Sequence, residues 1–460
     1  MLRTINAQPT LWEAILPVEC LVLPGDLAAV DELLSDERFF APFRAHFDAA
    51  FGRPSIPIET YLRMMFLKHR YSLGYEPLCA EVSDSIAWRR FCRVPLGDRA
   101  PHPTTLMKIT KRCGPGLVDE LNTALLAKAH EARVVKLDRV RADTTVVEAD
   151  IRYPTDSSLL TRAVGRLTAL AARVQATGAA ARTVVIDRGG EAQAHAHSIG
   201  AWLRRRSGEA KDEVLRITGE VAGLADLTAT ETERLVINAR RWLAAHPTTP
   251  KAGRLARMVD DLETLTETTN RLVAQARTRV GGDMPAGATR LVSLHEPDAR
   301  PIRKGRVGRP VEFGYKAQFV DNVDGIVLDH NVEIGNPPDA PQLVPAITRI
   351  KAAAGTAPDA VTADRGYGFA RVDKALAELG VTTIVIPRPG KPGIARRAIQ
   401  TSGPFIELVK WRTGCEGRIS SLKRDYGIRR TRLVGHAGVR IWVGHGVLAN
   451  NLTKIARLTA

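Results

Sequence analysis

The sequence predicts an α/β protein, built on a mixed sheet with an all-α N-terminal region before it and a helical insertion after its first strand. Three observations lead to this prediction. Residues 1–130 follow a helical periodicity. Runs rich in β-branched residues appear at 134–151 and return from residue 311 onwards. Between them, residues 158–280 are helical again, with a Gly-, Pro- and Arg-rich linker at 280–310.

The composition is that of a strongly basic globular protein. The chain has 460 residues, with 66 Lys and Arg against 50 Asp and Glu, a net charge of +16. Its 44% of hydrophobic residues excludes a disordered chain, and no apolar run is long enough for a membrane span. The N-terminus lacks the pattern of a secretory signal, so a cytoplasmic protein is expected, associated with the nucleoid when it binds DNA. So large a positive charge favours a nucleic acid partner.

The sequence of the N-terminal region predicts short helices separated by tight turns. Helices are expected at 57–70, 77–83 and 86–93, and a further one begins after Thr104 or Thr105 as its N-cap. The basic residues of these helices are candidate DNA contacts: Arg89, Arg90, Lys108, Lys111 and Arg112. The arrangement is typical of helix-turn-helix modules, while a plain helical bundle with solvated basic residues remains the alternative.

The order of elements outside the insertion predicts a particular sheet. Two alternating strands, 311–322 and 325–334, follow the first strand and are joined by a turn. Helices and strands then alternate through 339–353, 358–363, 370–379 and 381–386. Three strands in succession followed by alternating helices and strands form a mixed α/β sheet, and the ribonuclease H fold has this order.

Three carboxylates lie where this sheet could bring them together. Asp143 is in the middle of the first strand, Asp364 is at the end of the 358–363 strand, and Glu416 is on a last helix expected at roughly 405–424. Ligands gather at the carboxyl ends of strands in such sheets. Carboxylate oxygens are the ligands that Mg²⁺ prefers, and two such ions could drive an in-line phosphoryl displacement. Taken singly, each residue could equally be a turn former, a helix cap or a surface charge.

The last helix carries a spaced triplet, Arg412, Glu416 and Lys423. At 3.6 residues per turn, these three positions face within about 40° of one another. Arg412 and Lys423 could therefore hold DNA phosphates on either side of a metal-bound carboxylate. The alternative is an ordinary i,i+4 ion pair on the surface.

Several segments of the chain resemble the DDE-class transposases of bacterial insertion sequences. Residues 143–160, DTTVVEADIRYPTDSSLL, are similar to the block around that family's first Asp, and residues 361–368, VTADRGYG, to the second. Arg412-x3-Glu416-x6-Lys423 matches part of the signature Y(2)R(3)E(6)K, with Val409 in place of its Tyr. Residues 51–91 resemble the N-terminal transposase domain of the InsH type, and residues 295–318 the linker and second strand of that group.

The resemblance implies an enzyme, a DDE transposase with a ribonuclease H-like fold. It implies Asp143, Asp364 and Glu416 as catalytic residues and ligands of two Mg²⁺ ions, with Mn²⁺ as a substitute. The partners expected are double-stranded DNA, both the terminal inverted repeats and the target, and further copies of the chain in a homodimer or larger oligomer. Arg412, Lys423 and Arg365 are expected to contact DNA. A ribonuclease H-like nuclease without strand transfer, and an inactive DNA-binding protein, are the alternatives.

Four parts of the chain follow from these patterns. Residues 1–130 form a helical DNA-binding or dimerisation domain, 131–157 the first part of the catalytic domain, 158–300 a helical insertion and linker, and 301–460 the rest of the catalytic domain with basic C-terminal helices. In many relatives the insertion separates the last strand from the Glu helix. Here 221 positions separate Asp143 from Asp364 and only 52 separate Asp364 from Glu416, so the insertion follows the first strand. It could contact DNA or another subunit.

Overall fold

The chain divides into two units in a computed structural model that describes residues 1–4, 15–48, 51–202, 204–205, 207–248, 250, 252–304 and 310–459. The sheet unit comprises Met1–Asp150 and Gly314–Ala460, and the insertion unit comprises Ile151–Phe313. The four-part division expected from the sequence is a finer one and stays a prediction. Among the described helices, none is long and apolar enough to cross a membrane.

The N-terminal part of the sheet unit is helical, as predicted. The described helices are α1 Val18–Leu21, α2 Gly25–Leu33, α3 Ile58–Arg70, α4 Tyr75–Asp84, α5 Ile86–Phe91 and α6 Pro103–Glu131. Helix α6 begins at least two residues earlier than expected, because the His102 side chain accepts from the Thr104 N–H and serves as the N-cap in place of Thr104 or Thr105. The helix kinks at Gly114, which has a φ of 69°. The next residue, Pro115, has no backbone N–H to donate to the helix.

The C-terminal helix shares a core with these N-terminal helices. Helix α16, Gly435–Thr459, packs against α2, α3 and α6. The amide of Asn122 on α6 donates to the Gly444 carbonyl at 3.1 Å. A Cβ at Gly444 would lie 2.7 Å from Val118, so glycine lets the two helices approach closely. The N-terminal helices are therefore stabilised by residues more than 300 positions away.

The strands form the mixed sheet that the sequence predicts. They are β1 Arg139–Glu148, β2 Arg300–Arg303, β3 Val311–Asn322, β4 Val327–Ile334, β5 Ala360–Ala363 and β6 Thr383–Val385. Strand β3 pairs antiparallel with both β1 and β4, while β5 pairs parallel with β1 and with β6. The resulting order, β4-β3-β1-β5-β6 with β2 also against β3, is consistent with a ribonuclease H-like fold.

The helices that follow the strands differ from the prediction in two places: a helix at 394–400 that the sequence does not predict, and the helix expected at 405–424. They are α11 Ala340–Ala354, α12 Ala370–Glu378, α13 Ile394–Gln400, α14 Gly403–Thr413 and α15 Cys415–Asp425. The single helix expected at 405–424 is thus two helices that meet at Gly414. A Cβ at Gly414 would lie 2.9 Å from the Arg141 guanidinium, so glycine lets the chain pass close to this side chain of β1.

The insertion unit is a bundle of long helices. These are α7 Asp156–Gln175, α8 Gly189–Trp202, α9 Gly208–Ala245 and α10 Ala252–Val280. The helical stretch expected at 158–280 is thus divided, and the loop between α7 and α8 spans 176–188. Leu262, Leu265 and Leu272 are buried between the helices.

Candidate active site

The sheet places Asp143 and Asp364 side by side. Ala142 on β1 is opposite Ala363 on β5 in the parallel pair, so the next residue of each strand is an aspartate at the same level. Strand β5 ends there, while β1 continues along β3. In such sheets ligands bind at the crevice outside the carboxyl ends of the strands, and both aspartates lie level with that end of β5.

Asp143 is held by its own strand and by a cation. One carboxylate oxygen accepts from the Thr144 N–H at 2.7 Å, and the other lies 3.5 Å from Nη1 of Arg412. Both side chains of the Asp143–Arg412 pair are mostly buried. Arg412 therefore provides a positive charge within the crevice, next to the first predicted carboxylate.

Asp364 begins a tight turn at Arg365–Tyr367. Its Oδ1 accepts from the Gly366 N–H at 2.7 Å. A Cβ at Gly366 would lie 2.9 Å from Oδ1 of Asp364 and 3.1 Å from Oδ2 of Asp339, and a Cβ at Gly368 would collide with the Pro387 carbonyl. Gly366 thus keeps space around the Asp364 carboxylate, and Gly368 lets the turn pass close to the Pro387 backbone.

A further carboxylate, Asp339, lies on the other side of Gly366 and was missed by the sequence analysis. Its Oδ1 is 2.6 Å from Nζ of Lys316 and accepts from the Thr144 hydroxyl at 3.2 Å. Strand β4 is antiparallel to β3, as β1 is, so its carboxyl end lies at the same edge as that of β5. Asp339 follows that end by five residues. The rule that predicted Asp364 would have predicted Asp339 too, had the direction of β4 been used.

Tyr367 lies beneath the turn and is fully buried. Its hydroxyl accepts from Nε2 of Gln318 at 3.0 Å. Burial raises the pKa of Tyr367 well above its usual value, and the charges of Asp339, Asp143 and Asp364 act in the same direction. The phenol therefore stays neutral and supports the turn from below.

A buried ion pair fixes helix α14 over β1. The Arg141 guanidinium donates to both carboxylate oxygens of Asp321, at 2.9 and 2.8 Å, and to the Trp411 carbonyl at 3.0 Å. It also stacks on the Trp411 ring, 4.7 Å from the centroid. Because Arg412 follows Trp411 directly, this contact positions Arg412 beside Asp143.

Glu416 is exposed in the first turn of α15 and has Cys415, a buried residue, before it. Burial raises the pKa of the Cys415 thiol far above its usual value, as expected for a packing residue. The break at Gly414 separates Arg412 from Glu416 and Lys423, so these three residues lie on two helices and not on one face of one helix. Within the described part of the chain, no three His, Cys, Asp or Glu side chains are assembled as a metal-binding group.

Two family models match the chain on either side of the insertion. A transposase domain (DUF772) matches residues 20–112, and a transposase DDE domain matches residues 290–452. The second match includes Asp364, Arg412 and Glu416. The chain therefore contains a transposase DDE domain, with a further transposase domain before it.

One curated relative of this chain is itself uncharacterised. The "Uncharacterized protein ORF8 in nfe locus" of Rhizobium meliloti is 33% identical over 135 residues, 27% of this chain. The chain spans 65% of the length of that relative. No solved structure matches the chain.

The residues predicted to contact DNA differ from one another in their surroundings. Arg365 is exposed in the turn after Asp364, and Lys108, Lys111 and Arg112 are exposed on the first half of α6. Arg90 and Lys423 are half-buried. Arg89 departs from the prediction. It is 8% exposed, and its guanidinium donates to the carbonyls of Ser83, Pro95, Leu96 and Asp98. Arg89 thus holds the loop after α5.

Proposed function

We propose that this chain binds the terminal inverted repeats of its own insertion sequence and catalyses metal-dependent DNA cleavage and strand transfer. The observation that carries this proposal is the register of β1 and β5, which aligns Asp143 with Asp364 at the open end of β5. Two aligned carboxylates beside arginine residues suit phosphoryl transfer, where negative charge must be neutralised around the reacting phosphate.

The donor chemistry of the crevice fits a hard divalent cation. Asp143 and Asp364 offer carboxylate oxygens, and we assign Glu416 as the third ligand of two Mg²⁺ ions, for which Mn²⁺ would substitute. When bound, the ions would activate a water or a 3′-hydroxyl and stabilise the leaving oxygen. The chain's own residues would orient the DNA: Arg412 from beside Asp143, Arg365 from the turn, and Lys423 from α15.

We assign the reading of the element's ends to the N-terminal helices. A crevice that contacts phosphates carries little sequence information, so base contacts must come from elsewhere. Lys108, Lys111 and Arg112 lie at i, i+3 and i+4 on α6 and are exposed, which is the arrangement required of a helix in a major groove. We keep Arg90 in this group and assign Arg89 a supporting role.

The proposal also covers the oligomeric state of the chain and the location of the reaction in the cell. A reaction that joins two element ends to one target requires both ends to be held together, which favours a homodimer or larger oligomer on DNA. The substrate would be chromosomal or plasmid DNA, so the reaction would take place in the cytoplasm, on nucleoid DNA.

The decisive test separates DNA binding from chemistry. We expect Asp364→Asn to bind end DNA within about twofold of the native chain in a gel-shift assay and to nick it at least about 100-fold more slowly, since a metal ligand acts on the transition state while basic residues supply affinity. Asp138→Asn, an exposed carboxylate just before β1, is the matched control and should nick normally. Near-native nicking by Asp364→Asn would contradict the proposal. Nicking by the native chain without joining would favour the nuclease alternative.

A further inference from the structure

The insertion unit contains a cavity that the proposed chemistry does not use. It has a volume of about 380 Å³ and lies between the 151–154 loop, the first turns of α7 and the segment 292–295. Leu159 and Val292 are buried at its base, and Arg152, Arg162 and Arg166 are exposed around it. All of these residues belong to the insertion unit.

The three arginines of this cavity lack counterions. Among the described residues, none of Arg152, Arg162 and Arg166 forms a hydrogen bond or an ion pair, and no Asp or Glu lines the cavity. Elsewhere in the same unit arginines are neutralised, as Arg188 is by Glu231 and Arg216 is by Glu213. Three adjacent positive charges without a carboxylate repel one another, and the arrangement is relieved when an anion binds.

These arginines are positioned so that they could contact successive phosphates of a nucleic acid strand. Arg162 and Arg166 are four residues apart on α7, on one face and about 6 Å apart along the helix axis. Arg152 approaches from the loop before the helix. Guanidinium groups bind phosphate oxygens in a bidentate manner, and a row of them follows a phosphodiester backbone. Residues 151–313 also contain 26 Lys and Arg against 18 Asp and Glu, so this unit as a whole attracts polyanions.

An exposed aromatic ring lies next to this row. Tyr153 is 79% exposed, and its ring meets the edge of Phe313 at 5.6 Å between centroids. That contact holds the tyrosine in place while leaving most of its surface open. An open aromatic ring beside unpaired arginines is the combination that binds unpaired nucleotides, because bases stack on the ring while phosphates contact the cations.

We propose that this cavity binds a single DNA strand, with its phosphates on Arg152, Arg162 and Arg166 and a base stacked on Tyr153. The inference rests on the proposed function for the identity of the polyanion, since a chain that cuts DNA exposes unpaired strands near the cut. It assigns the insertion unit a DNA-binding role of its own, apart from the crevice at Asp143 and Asp364.

The test measures binding of the full-length chain to a fluorescein-labelled single strand in EDTA, where no metal-dependent cleavage occurs. We expect the double variant Arg162→Gln, Arg166→Gln to bind about tenfold or more weakly, with the salt dependence of log K shallower by about 1.4, because two phosphate contacts are lost. The double variant with lysine at both positions keeps the charge and should retain most of the affinity. Arg216→Gln, which removes a neutralised arginine of the same unit, should bind like the native chain.

Tyrosine variants test the stacking step separately. Tyr153→Ala should bind the single strand about tenfold more weakly, while Tyr153→Phe, which keeps the ring, should bind normally. Tyr153→Ala should weaken the binding of a duplex of the same sequence less, because paired bases are not available to stack on the ring. Native affinity in the Arg162, Arg166 glutamine variant, or equal losses for duplex and single strand in Tyr153→Ala, would overturn the inference. These binding measurements do not use the nicking assay with Asp364→Asn. A failure of the proposed function can therefore be told apart from a failure of this inference.

Discussion

At the scale of single residues, the carboxylates of the crevice depend on what surrounds them. The places of Asp143 and Asp364 on the sheet could be predicted, because each lies in or directly after a strand whose hydrophobic pattern is clear. Asp339 was not recognised, since it lies in a Pro-rich loop and its place depends on the direction of β4. Arg89 was misjudged, because a sequence shows its charge but not the four carbonyls around it.

Gly366 offers a test of how closely the turn must approach the carboxylates. In Gly366→Ala the new methyl group would lie 2.9 Å from Asp364 Oδ1, so that carboxylate or the turn must shift. We expect nicking to fall by about 10- to 100-fold, because catalysis is sensitive to displacements of under 1 Å, while thermal unfolding changes little. Gly403→Ala, where nothing lies within 4 Å of the new atom, should nick normally. An active Gly366→Ala variant would show that the turn tolerates displacement.

At the scale of elements, strand pairing was predictable and helix ends were less so. The β3–β4 hairpin has a recognisable turn and alternating strands, so its pairing followed from local sequence. The division of the expected 405–424 helix could not be predicted, because Gly414 is compatible with a helix and only Arg141 and Trp411 show why the chain bends there. The same break means that the spacing of Arg412, Glu416 and Lys423 cannot be read as one helical face.

Variants of helix α6 test whether the N-terminal helices recognise the ends of the element. We expect the double variant Lys108→Ala, Lys111→Ala to lose preference for end DNA over scrambled DNA, because base contacts supply discrimination and phosphate contacts do not. Lys374→Ala removes an exposed lysine of the same unit and should leave the preference unchanged. The full chain is needed, since α16 completes the core of the N-terminal helices. An unchanged preference in the double variant would assign recognition to another part of the chain, such as the insertion unit.

Lys68 is buried between helices α3, α4 and α16, and we expect it to make the stability of the fold depend on pH. Lys68 is 2% exposed, and its Nζ lies 3.9 Å from the Trp442 ring centroid and 4.8 Å from that of Tyr75. Burial, with the charge of Arg432, lowers the pKa of Lys68 to about 7. The nearby His445 has its pKa lowered to about 3 by burial, so it stays neutral in this range.

The sign of the effect follows from the proton balance. Between about pH 7 and the usual lysine pKa, the unfolded chain binds a proton at Lys68 that the folded chain does not, so this residue makes folding more favourable as pH rises. We expect the free energy of unfolding of the native chain, relative to Lys68→Met, to increase between pH 7 and 8.5 by up to about 1.4 kcal/mol per pH unit. Buried thiols contribute equally to both proteins and cancel. Urea unfolding at the two pH values measures this difference, and a constant difference would contradict the assigned pKa.

At the scale of the whole molecule, the chain places a large helical insertion between the segments that contain Asp143 and Asp364. The sequence indicated this arrangement, since 221 positions separate Asp143 from Asp364. What could not be predicted was that the N-terminal helices and the C-terminal helix form one core. That packing involves residues far apart in sequence, such as Asn122 and Gly444, and no local pattern reports it.

We propose that Asp143, Asp364 and Glu416 together catalyse DNA cleavage and joining, and Glu416 is the one of the three that lies on a helix and not in or directly after a strand. The most direct measurement is a strand-transfer assay with Mg²⁺, a precut end oligonucleotide and a supercoiled target plasmid, comparing the native chain, Glu416→Gln and Glu407→Gln. Glu407 is an exposed carboxylate on α14 and serves as the matched control. We expect the native chain and Glu407→Gln to join the end to the plasmid, and Glu416→Gln to bind DNA normally while joining at least about 100-fold more slowly. Joining by Glu416→Gln at the native rate would contradict the account.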